Sequence, residues 1–301
     1  MDGDETIYLN GTFVPRREGG LDVLDRGTLF GDGVYEVVRY VNGRGFAMGR
    51  HLARLGRSLD AIELPCPTTL AEIGARGDEL VRQRGLSDAK LYIQVTRGPA
   101  TRNHVMPDTP SPSVLMLADP APGLPGADAP PAALSLMTVE DNRWGDCWVK
   151  SLMLLPNSLA KTRAVRAGCD DALFVRDLDT QGDAGIVTEA TAANAMAVID
   201  GAVWTHPADR RILGGVTRDI VLELARELGI AVHETPMTLS RFGAADEALL
   251  CGTTMLVSAV TRCDGRPLGS GGRGGSGPTG PITQALSRAL AARMQRDCPR
   301  A

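Results

Sequence analysis

The sequence predicts an α+β fold in two subdomains, and three observations carry that expectation. Four Asn-Gly or Asp-Gly pairs sit between apolar, β-prone runs. Five other segments space their apolar residues at the helical period. Between two such regions lies DPAPGLPGADAPPA (119–132), with five prolines and little periodic apolar content.

The elements follow in chain order. Each Asn-Gly or Asp-Gly pair marks a type I′ hairpin, because both central residues of that turn take positive φ. The first two are Asn10-Gly11 in IYLNGTFV and Asn42-Gly43 in VVRYVNGRGFAM. HLARLGRSLDAIEL then puts Leu52, Leu55, Leu59 and Ile62 on one helical stripe, which leaves Arg54 on the solvent side. AEIGARGDELVRQRG is the next helix, and strands are expected at 91–97 and 113–118. The proline-rich stretch gives a linker at 121–132 between a smaller N-terminal region, 1–120, and a larger C-terminal one, 133–301. Beyond it come strands at 132–138, 172–176 and 247–251, and hairpins at Asp200-Gly201 and Asp264-Gly265. SLAKTRAVRAG, TRDIVLELARELG and ITQALSRALAARMQRD read as helices, with Gly168 and Gly229 at expected C-cap positions. The glycine-rich run 269–280 lacks a following G-K-[ST] and reads as a surface loop, not a phosphate loop.

Composition narrows the function classes. A net charge of −4 and 4% aromatics argue against a nucleic-acid partner. No apolar run approaches the roughly 18 residues of a membrane span. The start, MDGDETIYLNG, is acidic and runs straight into a hairpin, unlike a signal peptide. Six cysteines without a C-x-x-C pair suit the reduced thiols of the cytoplasm, and four scattered histidines suggest no metal cluster.

Several residues could carry chemistry. Only Lys90, Lys150 and Lys161 are lysines among 32 basic residues, and two of them fall in DCWVKSLMLLPNSLAK. A lysine offers what arginine does not, a titratable amine able to attack a carbonyl; the alternative is a plain surface charge. GGVTRDIVLELA places two glycines and Thr217, as N-cap, before a helix. That is either an anion site or an ordinary cap. CGTT (251–254) is a second small-polar turn after a strand. Glu189 precedes small residues in IVTEATAANAMAV and is, alone, one acid among many. Arg102 and His104 stand two apart, so an extended segment would point both to one face. They could clamp a carboxylate or belong to a polar loop.

Read in series, these fragments resemble the fold-type IV pyridoxal-phosphate enzymes, and within them most closely the bacterial D-amino acid transaminases. DRGTLFGDGVYEVVRY, HLARLGRS, VTRGPATRNH, EDNRWGDCWVKSLMLL, VTEATAAN, VWTHPADRRILGGVTRD and CGTT occur in the family's order and spacing. The resemblance implies a smaller N-terminal α/β domain and a larger C-terminal, β-barrel-like, cofactor-binding domain. It implies pyridoxal 5′-phosphate as cofactor, with Lys150 as the Schiff-base lysine and Glu189 paired with the pyridine nitrogen. Arg54, Thr217 and Thr253 match phosphate ligands, Val216 a backbone N–H donor to the phosphate, and Leu213 the residue packed on the ring. Tyr35, Arg102 and His104 match the trap for the substrate α-carboxylate. The last two come from the neighbouring subunit, which implies a homodimer. Lys161 is left as a surface residue.

The implied reaction moves an amino group from a D-amino acid to a 2-oxo acid such as pyruvate or 2-oxoglutarate. The Arg102-Asn103-His104 unit favours it over branched-chain, other L-amino acid or amine transaminases and aminodeoxychorismate lyases of the same fold. A non-catalytic cofactor-binding homologue is the remote alternative. The chain departs from the family at Ala190-Thr191-Ala192-Ala193, Met196, Met255-Leu256 and an insertion at 178–186. These changes are expected to make the pocket more apolar and to favour larger apolar side chains.

Overall fold

The four Asn-Gly and Asp-Gly pairs that lie between β-prone runs form the turns expected of them. Asn10, Asn42, Asp200 and Asp264 have φ between 47° and 51°, each followed by a glycine of positive φ. They join β1 (Thr6–Leu9) to β2 (Thr12–Pro15) and β3 (Gly33–Val41) to β4 (Arg44–Gly45). Later in the chain they join β10 (Asn194–Ile199) to β11 (Ala202–Thr205) and β15 (Leu256–Cys263) to β16 (Arg266–Pro267). The computed structural model describes residues 4–126, 128–177, 185–269 and 279–300. Residues 178–184 of the insertion and 270–278 of the glycine-rich run lie outside them.

The chain divides into two units. The first holds Met1–Leu124, Val149–Met153 and Met294–Ala301; the second holds Pro125–Trp148 and Leu154–Arg293. Lys150 therefore groups with the N-terminal residues, although the chain on either side of 149–153 does not.

In the first unit an antiparallel sheet has the order β2-β1-β6-β5-β3-β4, with β5 at Ala89–Thr96 and β6 at Ser113–Pro120. α1 (Arg26–Phe30) precedes β3, while α2 (Met48–Ala61) and α3 (Leu70–Gln83) follow β4. Val34, Val38 and Tyr40 share a core with Leu55, Leu59, Ile73 and Leu80. Strand periodicity puts Glu36 on that same face of β3, and there it meets α2. The face therefore contains one buried polar position.

The second unit is built on β7 (Ala133–Glu140), β8 (Asp171–Arg176), β9 (Ile186–Ala190), β10, β14 (Glu247–Gly252) and β15. Their order β10-β14-β15-β7-β8-β9 closes on itself through the pair Asn194↔Glu189, a barrel that leaves those six strands no edges. Around it stand α4 (Leu155–Arg166), α5 (Val216–Glu227), β12 (Val232–Glu234), β13 (Met237–Thr238), α6 (Leu239–Gly243) and α7 (Pro281–Asp297). Gly168 and Gly229 follow the ends of α4 and α5 with φ of 78° and 75°, as their C-cap positions required. Ala190, Ala193, Ala195, Ala197 and Leu250 fill a core with Leu136, Leu173 and Phe242. The described residues contain no helix long and apolar enough to cross a membrane.

Candidate active site

In the first unit, Lys150 lies beside the start of β3. Its carbonyl accepts from the Tyr35 N–H at 3.0 Å, and Leu152 N donates to Gly33 O at 3.0 Å. Its own N–H donates to Ser58 Oγ at 3.2 Å. The Nζ stands 4.1 Å from the centre of the Tyr35 ring, so these two residues are brought together. Lys161 is different: its side chain is 44% exposed, pairs with Asp171 at 3.0 Å, and donates to Asp170 O at 2.5 Å.

The expectation that Arg54 faces solvent is corrected. Arg54 is buried at 5% exposure and forks Glu36, with Nε at 2.7 Å and Nη2 at 2.9 Å. His51 Nδ1 completes the group at 2.8 Å from the same carboxylate. The physical reason is a second, polar stripe on α2. His51, Arg54 and Ser58 recur at helical spacing and are all buried, but a periodicity built on apolar residues passes over them. Burial alone would raise Glu36; Arg54 and then His51 outweigh it and bring the carboxyl down to about 2. Burial lowers His51 against the pull of Glu36, which suits a neutral ring donating its Nδ1–H.

Arg102 and His104 lie in the loop between β5 and β6, both exposed, and both meet one ring. The Arg102 guanidinium is 5.4 Å from the centre of Phe30, and the His104 ring stands edge-on to it at 5.6 Å. The chain is bent at Arg102 and His104, not extended, so the two side chains meet through the shared ring and not through strand alternation. Tyr35 packs on Tyr92 at 5.6 Å.

In the second unit, Glu189 sits where β9 and β10 close the barrel. It is 5% exposed and surrounded by donors. Arg143 Nη1 reaches it at 2.5 Å, Asn194 Nδ2 at 3.1 Å, and the Leu213 N–H contacts both oxygens at 3.2 Å. Asn194 also donates to Leu213 O at 2.8 Å, so the Leu213 backbone is fastened from both sides. Arg143 forks Asp141 at 2.9 Å on each nitrogen and lies over Phe174 at 4.3 Å. Burial pushes the Glu189 carboxyl above the usual carboxylate range, and the Arg143 guanidinium opposes it. Each of these polar contacts to Glu189 comes from a donor, which is the environment of a carboxylate.

The expected N-cap at Thr217 is also corrected. Gly215 caps α5 without a side-chain bond, Val216 is the first helical residue, and Thr217, 7% exposed, is the second. A Cβ on Gly215 would collide with Asn194 Oδ1, so a glycine is required there and carries the cap position forward. Val216 and Thr217 thus stand in the first turn, whose N–H groups have no intrahelical acceptor. Thr253 is half-buried in the β14–β15 turn, where Leu256 is held at φ 59°. Among the departures, Ala190 and Ala193 belong to the core and Thr191 donates to Asp171 at 2.6 Å. Ala192 alone of the four is exposed.

Sequence reasoning missed Arg143, Asn194, Glu36 and His51. A buried acid at position 189 needs a cation, and the arginine seven residues before Lys150 was the available signal.

The fold matches solved aminotransferases. The branched-chain amino acid aminotransferase of T.th. with pyridoxamine 5′-phosphate superposes with a TM-score of 0.84 and 25% identity, over 99% of this chain and 95% of that one. A branched-chain aminotransferase from Thermoproteus uzoniensis with norvaline gives 0.81 and 27%, over 99% and 96%. Residues 33–263 match the Amino-transferase class IV family, and the chain belongs to it; it is an aminotransferase. The D-alanine aminotransferase of Listeria innocua is 38% identical over 295 residues, 97% of each chain. That of Bacillus licheniformis is 36% identical over 284 residues, 94% of this chain and 95% of its own.

Proposed function

We propose that this aminotransferase uses pyridoxal 5′-phosphate to move the amino group of a D-amino acid to a 2-oxo acid, as a homodimer in the cytoplasm. The observation that carries the D-assignment is the convergence of exposed Arg102 and His104 on Phe30, two donors presented together for an α-carboxylate. The identity to D-alanine aminotransferases supports the same reading.

The residues fit the cofactor. Glu189, ringed by donors, suits a protonated pyridine nitrogen, and the glycine-capped start of α5 suits a phosphate. When bound, pyridoxal phosphate supplies the carbonyl that takes up an amino group and the ring that accepts electrons from the substrate Cα. Lys150 is the residue whose Nζ would hold the cofactor, and the same amine would take up the proton from the substrate Cα. Glu189, with Arg143 Nη1 against it at 2.5 Å, would hold a proton on the ring nitrogen. Arg54, Thr217, Thr253 and the Val216 N–H are the groups that would hold the phosphate, and Leu213 the side chain that would pack on the ring. Tyr35, with Arg102 and His104 of the neighbouring subunit, binds the α-carboxylate. Ala192, the exposed member of the departing segment, would favour an apolar substrate side chain.

Separate assays with D-alanine and L-leucine, each with 2-oxoglutarate, test the assignment. D-alanine should turn over faster, and a preference for L-leucine would defeat it. Purified protein given pyridoxal phosphate should also show a visible band that borohydride removes.

A further inference from the structure

The exposed 102–104 segment is fastened to a buried base, and the fastening has a form. Arg26, 3% exposed, donates from Nη1 to the carbonyl of Asn103 at 2.6 Å, the residue between Arg102 and His104. Its Nε is fixed on Asp32 at 2.7 Å. Asp32 is held in turn by Arg97, whose Nε lies 2.9 Å from Oδ2 and whose Nη1 and Nη2 donate to Glu63 O and Ile62 O at 3.0 and 2.6 Å. Asp25 starts the short helix α1, accepting from the Gly27 N–H at 2.8 Å and from Thr96 Oγ1 at 2.9 Å. Arg26 and Phe30 are thereby set on a rigid platform.

Phe30 is the second fastening point. The Arg26 guanidinium lies 4.7 Å from its ring centre, with Arg102 and His104 against the same ring. Within the chain, Arg102 and His104 make no side-chain ion pair or hydrogen bond among the described residues. Among those residues, the anchor of both side chains is this ring. A flexible arginine that must find its carboxylate loses rotamer freedom on binding, and a π face that holds it beforehand reduces that loss.

We propose that Arg26 and Phe30 are positioning residues for the carboxylate trap: Arg26 fixes the backbone between Arg102 and His104, and the Phe30 ring fixes both side chains. This rests on the reading of Arg102 and His104 as that trap, so the test separates the two. In Phe30→Leu, KM for both the amino acid and the 2-oxo acid should rise roughly fivefold with kcat held within about twofold, the size of a lost cation–π contact. Phe30→Tyr, which keeps the π face, should restore KM. In protein free of cofactor, amide hydrogen exchange over 101–106 should accelerate in Phe30→Leu and in Arg26→Gln. In an Arg102→Ala background, Phe30→Leu should add little further to KM. If Arg102→Ala raises KM while Phe30→Leu leaves both KM and exchange as in the parent, the positioning proposal fails and the trap stands. If Arg102→Ala leaves KM unchanged, the trap reading fails and the proposal with it.

Discussion

At the scale of single residues, two lysines eleven apart in one stretch have opposite surroundings. Lys150 has Tyr35 under its Nζ, whereas Lys161 is tied to Asp170 and Asp171 at a helix surface. Lys150→Ala should abolish turnover and the visible cofactor band. Lys161→Ala should leave both nearly intact, at the cost of an ion pair worth about 1 kcal/mol or less. Activity and absorbance spectra on the two variants decide this. Glu36 gives a second prediction, in stability. Its ordinary carboxyl value of 4.5 falls to about 2 in the folded chain, through Arg54 and His51 overcoming burial. A depressed folded pKa stabilises fully above the unfolded value and is lost as pH falls through the folded one. The window is thus from about 4.5 down to about 2, and its size is on the order of 3 kcal/mol. Urea denaturation of the parent should lose stability steeply across that window. Glu36→Gln should be less stable at pH 7 and should show a flatter acid dependence.

At the scale of elements, hairpins and amphipathic helices were legible because each rests on a local rule. The four turns needed only residues that tolerate positive φ, and the C-caps needed only glycine. Polar burial was not local. Arg54 is inside because Glu36 on β3 faces it, and nothing in the helix sequence names that partner. The cap of α5 moved from Thr217 to Gly215 for a similar reason, since Asn194 of β10 occupies the space a Cβ would need. Helix α7 shows a cap supplied from another element altogether. Glu247 of β14 accepts from Ile282 N at 3.0 Å, and from Thr283 N and Thr283 Oγ1 at 2.7 Å. A carboxylate at that position also meets the positive end of the helix. Glu247→Ala should cost about 2 kcal/mol and lower the melting temperature by a few degrees. Because Glu247 contacts the helix and not Glu189, Lys150 or their partners, the cofactor band of the variant should match the parent.

At the scale of the whole molecule, the family resemblance supplied what periodicity could not, because the proposed site residues are scattered from Tyr35 to Thr253 and only their order points to them. The same scatter makes assembly testable. Arg102 and His104 are exposed on a single chain, and the neighbouring Val105 and Met106 are 73% and 46% exposed beside them. An apolar pair next to exposed donors suits a segment that another subunit covers. In the proposed homodimer, Lys150 and the Arg102 that serves it lie on different chains. Lys150→Ala and Arg102→Ala proteins, each impaired alone, should then complement when unfolded together and refolded. A hybrid dimer carries one site with its own Lys150 and an intact Arg102 from its partner, and one site lacking both. Random reassociation at equal amounts makes half the dimers hybrids, so activity should recover to roughly a quarter of the parent's. An arginine acting within its own chain gives no such gain, because every hybrid site would still lack one of the two residues. Activity of the refolded mixture, compared with each variant refolded alone, distinguishes the two arrangements.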